Sequence, residues 1–260
     1  MNHLQQDTPD SFLETADIET SSADYASRFS GSVGKYFLKQ QQNITLNFLK
    51  TQPRTSVLDV GGGHGQLALP LADHGFSITV TGSDDICGQR LADRMGTRPY
   101  TYQTCDNLHL PFADDSFHTV ISFRLLPHVE QWQQLIAELC RVASHSVILD
   151  YPDARSFNIL YRLLFSFKKA MEGNTRTYTM FNRTQLKKAF AANNFAAPAF
   201  APEFFWPMVL HRKLKNPQIS RTLEQPARLL GLTSLFGSPI ILHSHKLPKT
   251  TDTTATEARS

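Results

Sequence analysis

The sequence predicts one α/β domain built on a mostly parallel sheet, and three observations carry that expectation. Short apolar runs alternate with helix-like stretches of 9–13 residues between residues 55 and 150, the rhythm of βαβ units. The runs are continuously apolar, as in Val147-Ile148-Leu149, which fits strands covered on both faces. A glycine-rich turn, Gly61-Gly62-Gly63-His64-Gly65, follows the first run and leads into a helical stretch.

Each element follows from its pattern. Tyr25–Leu49 has an uneven apolar helical face, and Gly31 and Gly34 should split it into a short front piece and a longer helix. Ser56–Val60, Ser77–Thr81, Pro99–Thr104, Thr119–Phe123 and Ser146–Leu149 are expected strands. Gln66–His74, Asp85–Met95 and Glu130–Val142 are the helices between them. Beyond Asp150 the rhythm changes. Ser156–Met171 is an expected helix rich in aromatics, Glu172–Tyr178 a polar loop, and Thr184–Asn193 a helix with Thr184 as its N-cap. Phe200–Phe205 and Pro239–His243 are strand-like. Met208–Leu232 between them is helical, broken at Pro217 and again near Pro226.

Length and composition limit the alternatives. A chain of 260 residues that is 41% hydrophobic can bury one good core. Residues 1–22 and 249–260 are expected to be disordered, with a single domain over 23–248 whose core is 55–150. Segments 23–50, 155–180 and 207–236 are elaborations around that core. No apolar run approaches the roughly 20 residues that span a bilayer. No Lys or Arg precedes Arg28 and no apolar leader is present, so no secretory signal is expected. Cys87, Cys105 and Cys140 are odd in number and far apart. They are expected to be buried thiols of a cytoplasmic protein, without a metal site. The net charge of +3 divides into −7 over residues 1–150 and +10 over 151–260. The basic half suits a phosphate, an acidic ligand or an anionic membrane face, and equally an ordinary solvated surface.

The glycine turn narrows the chemistry. A phosphate loop of the GxxxxGK[ST] type needs a lysine that does not follow here. A dinucleotide fingerprint needs a third glycine where Gln66 stands. What is present is Asp59-x-Gly61-x-Gly63-x-Gly65, with a second acid, Asp84, ending the next apolar run. This stretch resembles motif I of the class I S-adenosylmethionine-dependent methyltransferases. The similarity continues in order through Asp84, through Cys105–Ser122 and through Arg124–Val142. These last two resemble the adenine-side loop and following helix of the branch that includes the ubiquinone/menaquinone-pathway (type 11-like) enzymes.

The resemblance implies a Rossmann-like sandwich with a seven-stranded sheet. Phe200–Phe205 would be its sixth strand and Pro239–His243 the inserted antiparallel seventh, with extra C-terminal helices. It implies S-adenosylmethionine as cofactor, and a site made of Asp59, Gly61, Gly63, Gly65, Asp84, Asp106 and Asn107. Asp84 would accept the ribose hydroxyls, Asp106 the adenine amino group, and Asp59 would order the loop near the cofactor's ammonium. His64 is expected to be a loop residue rather than a catalyst. Read alone, Asp59 and Asp106 also fit plain turn acids, and Asp84 a helix N-cap.

An acceptor should meet the residues after the fourth and fifth strands, since ligands of open parallel sheets lie over the strand C-termini. Those are Arg124 and His128, then Tyr151 and Asp153, with Tyr25, Arg28 and Arg176 on the candidate lid segments. His128 is the candidate base, with packing under the site as its other reading. Arg124 either binds an acidic acceptor or pairs with an acid such as Glu130. The expected reaction is methyl transfer to oxygen or carbon of a small, hydrophobic, quinone-like, aromatic or lipid-linked acceptor. Peripheral contact with the inner face of a membrane through the basic, aromatic C-terminal half is a further expectation. The alternatives are an RNA methyltransferase and a scaffold that binds the cofactor without turnover. No RNA-binding module is recognisable, and nucleic acid is not the expected partner.

Overall fold

The computed structural model describes residues 14–156 and 178–248. The expected aromatic helix after Ser156, the polar loop before Tyr178, Arg176 and the tail 249–260 lie outside the described residues.

The strands are β1 (Ser56–Val60), β2 (Ser77–Gly82), β3 (Thr101–Thr104), β4 (Phe117–Ser122), β5 (Ala143–Tyr151), β6 (Ala199–Pro202) and β7 (Ile240–His245). They form one sheet in the order β3-β2-β1-β4-β5-β7-β6. β1 to β5 pair in parallel, and β7 runs antiparallel to both β5 and β6. The sheet reverses its winding between β1 and β4, the place where open α/β sheets bind ligands.

Side-chain alternation divides the core in two. Leu58, Val60, Val120, Val147, Leu149 and Leu242 face one layer, and Val57, Ile121, Ile148 and Ile241 the other. Each such buried side chain contributes about 1.5–3 kcal/mol, and this is why consecutive positions such as Val147-Ile148-Leu149 are apolar. The first layer is completed by α6 (Trp132–Val142) and α7 (Arg183–Ala192). The second is covered by α3 (Gly31–Phe48), α4 (Ala68–Asp73) and α5 (Ile86–Met95). The three cysteines are free and buried. Among the described residues, no helix is long and apolar enough to cross a membrane.

Several expectations are corrected. Part of the segment thought disordered is helical: α1 (Ala16–Ser21) precedes α2 (Ala23–Ser27), and Ala16 and Asp17 are fully buried. The helix break falls at Gly31, whose φ is +70°, whereas Gly34 lies inside α3. The N-cap of α7 is Asn182, not Thr184. Asn182 Oδ1 accepts from Gln185 N–H at 2.9 Å, and Gln185 Oε1 accepts from Asn182 N–H at 3.0 Å, a reciprocal cap that satisfies two orphan donors.

The stretch 208–232 is also reorganised. It forms α8 (Met208–Leu214) and α9 (Pro217–Leu229), followed by α10 (Leu232–Phe236). Lys215 turns left-handed at φ +53°, Asn216 caps α9, and Pro217 takes the first turn, where its missing N–H costs nothing. Pro226 stays inside α9, so it does not end the helix.

Candidate active site

The site starts at the C-terminal end of β1. Gly61 and Gly65 have φ of +68° and +61°, and Gly61 at that angle would strain any residue with a Cβ. Gly62, which the resemblance leaves variable, is also required. A Cβ there would lie 2.2 Å from the carboxyl carbon of Asp59.

That close approach encloses Asp59. Its side chain is 1% exposed and neither oxygen has a hydrogen-bond partner. Burial pushes its pKa up to about 8. A buried acid without donors is costly. His64 Nε2 lies 3.4 Å from the Phe123 carbonyl, and its Nδ1 accepts from Gln66 N–H. Burial lowers its pKa to about 3, so the ring is neutral and serves the loop, as expected.

The second strand end carries Asp84, which is exposed, with Oδ1 accepting from Ile86 N–H at 2.8 Å. One oxygen therefore does cap-like work at the start of α5. Asp106 accepts from Leu108 N–H at 2.8 Å and pairs with His109 at 2.7 Å. Asn107 is fully buried, takes Thr81 Oγ1–H on its carbonyl oxygen, and leaves Nδ2 unpartnered.

A third element meets the glycine loop here. Asp17 of α1 accepts from Ser83 N–H at 2.6 Å and from Ser83 Oγ–H at 2.5 Å. Asp17 Cβ also stands 3.4 Å from where a Gly61 side chain would begin. The N-terminal helix thus roofs the glycine loop.

Beyond the loop lies a cavity of about 830 Å³. Tyr25, Arg28, Arg124, His128 and Tyr151 all line it, together with Phe29, Phe37, Phe205 and Trp206. Asp153 does not. Its carboxylate is fully buried and taken up by Arg155 N–H at 2.8 Å and by the Arg155 and Arg183 guanidinium groups. Three acids do line the cavity, Glu19, Asp150 and Glu203, and Asp150 is the one tied to the glycine loop. Asp150 Oδ1 accepts from Arg124 N–H at 2.6 Å and Oδ2 from Gln41 Nε2–H at 3.2 Å. Gln41 in turn accepts from Gln66, which ties the cavity to the residue just after the glycine loop. Arg124 has φ +63° and stacks its guanidinium 3.6 Å from the centre of the Phe29 ring. Burial lowers its pKa to about 10, so it remains charged. Burial pushes Asp150 up to about 6, opposed by the Arg124 N–H and charge.

A glycine loop, an orphaned acid and an adjoining aromatic cavity at the sheet's switch point form a two-compartment site. Residues 58–149 match the family model described as "Methyltransferase domain". Over those residues the chain is similar to a methyltransferase domain. A 92-residue stretch is 37% identical to an uncharacterized protein of Mycobacterium tuberculosis, covering 35% of this chain and 34% of that one. Over 160 residues the chain is 28% identical to the malonyl-[acyl-carrier protein] O-methyltransferase of Geobacter sulfurreducens, covering 58% and 60%. The chain thus spans about a third of the length of the mycobacterial relative it matches. The solved magnesium protoporphyrin IX methyltransferase of Synechocystis, with bound SAH, shares the fold at a TM-score of 0.59 and 18% identity, covering 88% of this chain and 97% of that one. The methyltransferase domain's family uses S-adenosylmethionine. The residues present fit that group: among the described residues Asp59 is a buried carboxyl without a hydrogen-bond partner, beside a loop whose glycines leave no room for a Cβ at Gly62.

Proposed function

We propose that the chain transfers a methyl group from S-adenosylmethionine to oxygen or carbon of a small hydrophobic acceptor held in the 830 Å³ cavity. The single observation that carries this reading is the cavity's position. It opens where β4 and β5 end, is walled by aromatic rings, and is tied through Gln66, Gln41 and Asp150 to the glycine loop. Its volume lies within the range of roughly 300–1,000 Å³ typical of small-molecule sites.

Asp59 would hold the cofactor's ammonium, Gly61, Gly63 and Gly65 would let the backbone approach its methionine end, and Asp84 would take the ribose. Asp106 and Asn107 would face the adenine. The sulfonium, when bound, supplies an electrophilic methyl group. The protein's part is to align the acceptor and exclude water, which can supply much of the rate. Phe29 and Trp206 do the excluding, and Arg124 offers a fixed positive charge to an acceptor oxygen. Calorimetric titration with the demethylated cofactor should show binding, and incubation of labelled cofactor with small-molecule extracts should label an organic-soluble product. Binding without any labelled product would support the scaffold alternative, and label confined to RNA the nucleic-acid one.

The acceptor side also suits a membrane surface. Leu229, Leu230, Leu235 and Phe236 are 88%, 73%, 55% and 43% exposed on consecutive helix ends. Arg212 and Lys213 on α8 and Lys215 just after it are exposed, and Arg212 and Val209 also line the cavity. Apolar side chains flanked by cations favour an anionic bilayer. The full chain should float with anionic vesicles at low salt, and Leu229→Asp with Leu230→Asp should abolish flotation. Equal flotation of both proteins would remove this patch as the contact.

A further inference from the structure

We propose that Glu203 is the proton acceptor for an acidic hydroxyl, on an aromatic or enolic ring, that binds in the cavity beside Arg124. This deepens the methyltransferase reading and rests on it. Glu203 follows β6, and its backbone is fixed on both sides. Its N–H donates to the Pro239 carbonyl at 2.9 Å, and its carbonyl accepts from Arg228 Nη2–H at 2.8 Å. The side chain is 2% exposed and lines the cavity, and among the described residues its Oε1 has no partner. Arg124 Nη2 is likewise buried and, among the described residues, without a partner in the same wall. One acceptor atom and one cationic donor, both unsatisfied among aromatic rings, match a group that donates one hydrogen bond and gathers negative charge. A phenolic or enolic hydroxyl does both.

Glu19 of α1 also lines the wall. Asp150, the third acid there, has both of its oxygens already engaged by Arg124 N–H and Gln41. It therefore positions Arg124 and Gln41. His128, the candidate base from the sequence, also lines the cavity, on the turn Leu126–His128 with its ring 5.6 Å from that of Tyr178. In the step, the hydroxyl oxygen forms the bond to the methyl carbon and the carbon–sulfur bond breaks, leaving its electron pair on sulfur. The hydroxyl proton passes to Glu203 Oε1, so charge and atoms balance. The charged and titratable groups facing Glu203 are Asp150 from β5, Arg124 from the segment after β4, Arg228 from α9 and Tyr36 from α3. Burial first, and then the Asp150 charge, hold Glu203 well above the usual carboxylate range. That brings its basicity nearer to that of the hydroxyl it must deprotonate.

The test needs no knowledge of the natural acceptor. The full chain, without cofactor, is titrated with 4-nitrophenol, whose ionised and neutral forms differ in absorbance. The wild type should bind it ionised, and Glu203→Gln should bind it neutral, with a bound-state pKa higher by at least one unit. An identical ionised fraction in both proteins overturns the role of Glu203, and failure of the wild type to bind at millimolar phenol overturns the substrate class. With cofactor added, Glu203→Gln should slow labelling of an accepted phenol about a hundredfold to ten-thousandfold and lose the rise of rate with pH. His128→Ala should keep that rise, and its loss there instead would overturn the assignment. Affinity for the demethylated cofactor should not change in Glu203→Gln. If the wild type itself fails to bind that cofactor, the methyltransferase reading falls, and the phenol titration still reports on Glu203. The Gln variant is nearly isosteric, and its melting temperature should equal or exceed that of the wild type at pH 8, so a folding defect is recognisable.

Discussion

Asp59→Asn is expected to stabilise the ligand-free protein and to weaken cofactor binding. The acid's folded pKa is raised from 3.8 to about 8 by burial alone. For a raised acid, the contribution to stability is fully present below the unfolded value and is lost as pH rises through the folded one. Wild-type stability should therefore decline from about pH 4 to pH 8. At 1.36 kcal/mol per pKa unit the decline by pH 7 is on the order of 4 kcal/mol. The Asn variant should lose this slope, as read from denaturant midpoints across the same range. Binding runs the other way. A cofactor ammonium placed at Asp59 favours the ionised form, so the wild type should release up to one proton on binding near neutral pH. Calorimetry in buffers of different ionisation enthalpy measures that proton. The Asn variant should release none and bind more weakly by about 1.5–3 kcal/mol, the worth of a hydrogen bond to a charged group. Equal affinities in the two proteins would remove Asp59 from the ammonium site.

What the sequence showed, and what it hid, follows from where each signal lies. β1 and β5 were legible because neighbours on opposite faces, such as Val147 and Ile148, both sit in apolar layers. The glycine loop was legible because steric need is written in a single residue type. The helix α1 was not. Its buried residues are Ala16, Asp17, Thr20 and Ser21, so the face that packs is small and polar and carries no hydrophobic period. Its partner is Ser83, 66 residues away, a pairing that no local pattern announces. Asp150 and Asp153 differ by three positions on the same strand exit. Only the position of Arg183 on α7 and the turn to Arg155 decide that Asp153 is neutralised while Asp150 faces the cavity. Glu203 and Glu224 were invisible for a related reason. Their roles depend on β7 inserting between β5 and β6, which brings the chain after residue 199 back against the site.

Glu224→Ala is expected to cost more stability than any loss at the exposed acids. Glu224 of α9 is 1% exposed, and three donors converge on it. Oε2 accepts from Phe205 N–H at 2.9 Å, and Oε1 accepts from Trp206 N–H at 3.0 Å and from His211 Nε2–H at 2.9 Å. His211 is fully buried, edge-on to Phe37 at 6.0 Å. Water cannot replace the carboxylate without opening the cluster of Phe37, Phe204 and Tyr36. Removing one partner of a buried pair costs about 3–5 kcal/mol, because the donors left behind stay desolvated. For a domain of this size that corresponds to a fall in melting temperature of about 6–20 °C. The functional loss should be confined to one compartment. Phe205 and Trp206 form part of the cavity wall, so binding of an aromatic acceptor should weaken, while the glycine loop, held by β1 and α5, should bind the demethylated cofactor as before. Glu224→Gln keeps an oxygen for one or both backbone donors but loses the charge and turns an NH₂ toward a donor. It should fall between the wild type and Ala in both melting temperature and acceptor affinity. If Ala melts within 2 °C of the wild type, the three short contacts do not hold the cavity wall. If cofactor affinity falls in step with acceptor affinity, the two compartments are not independently built.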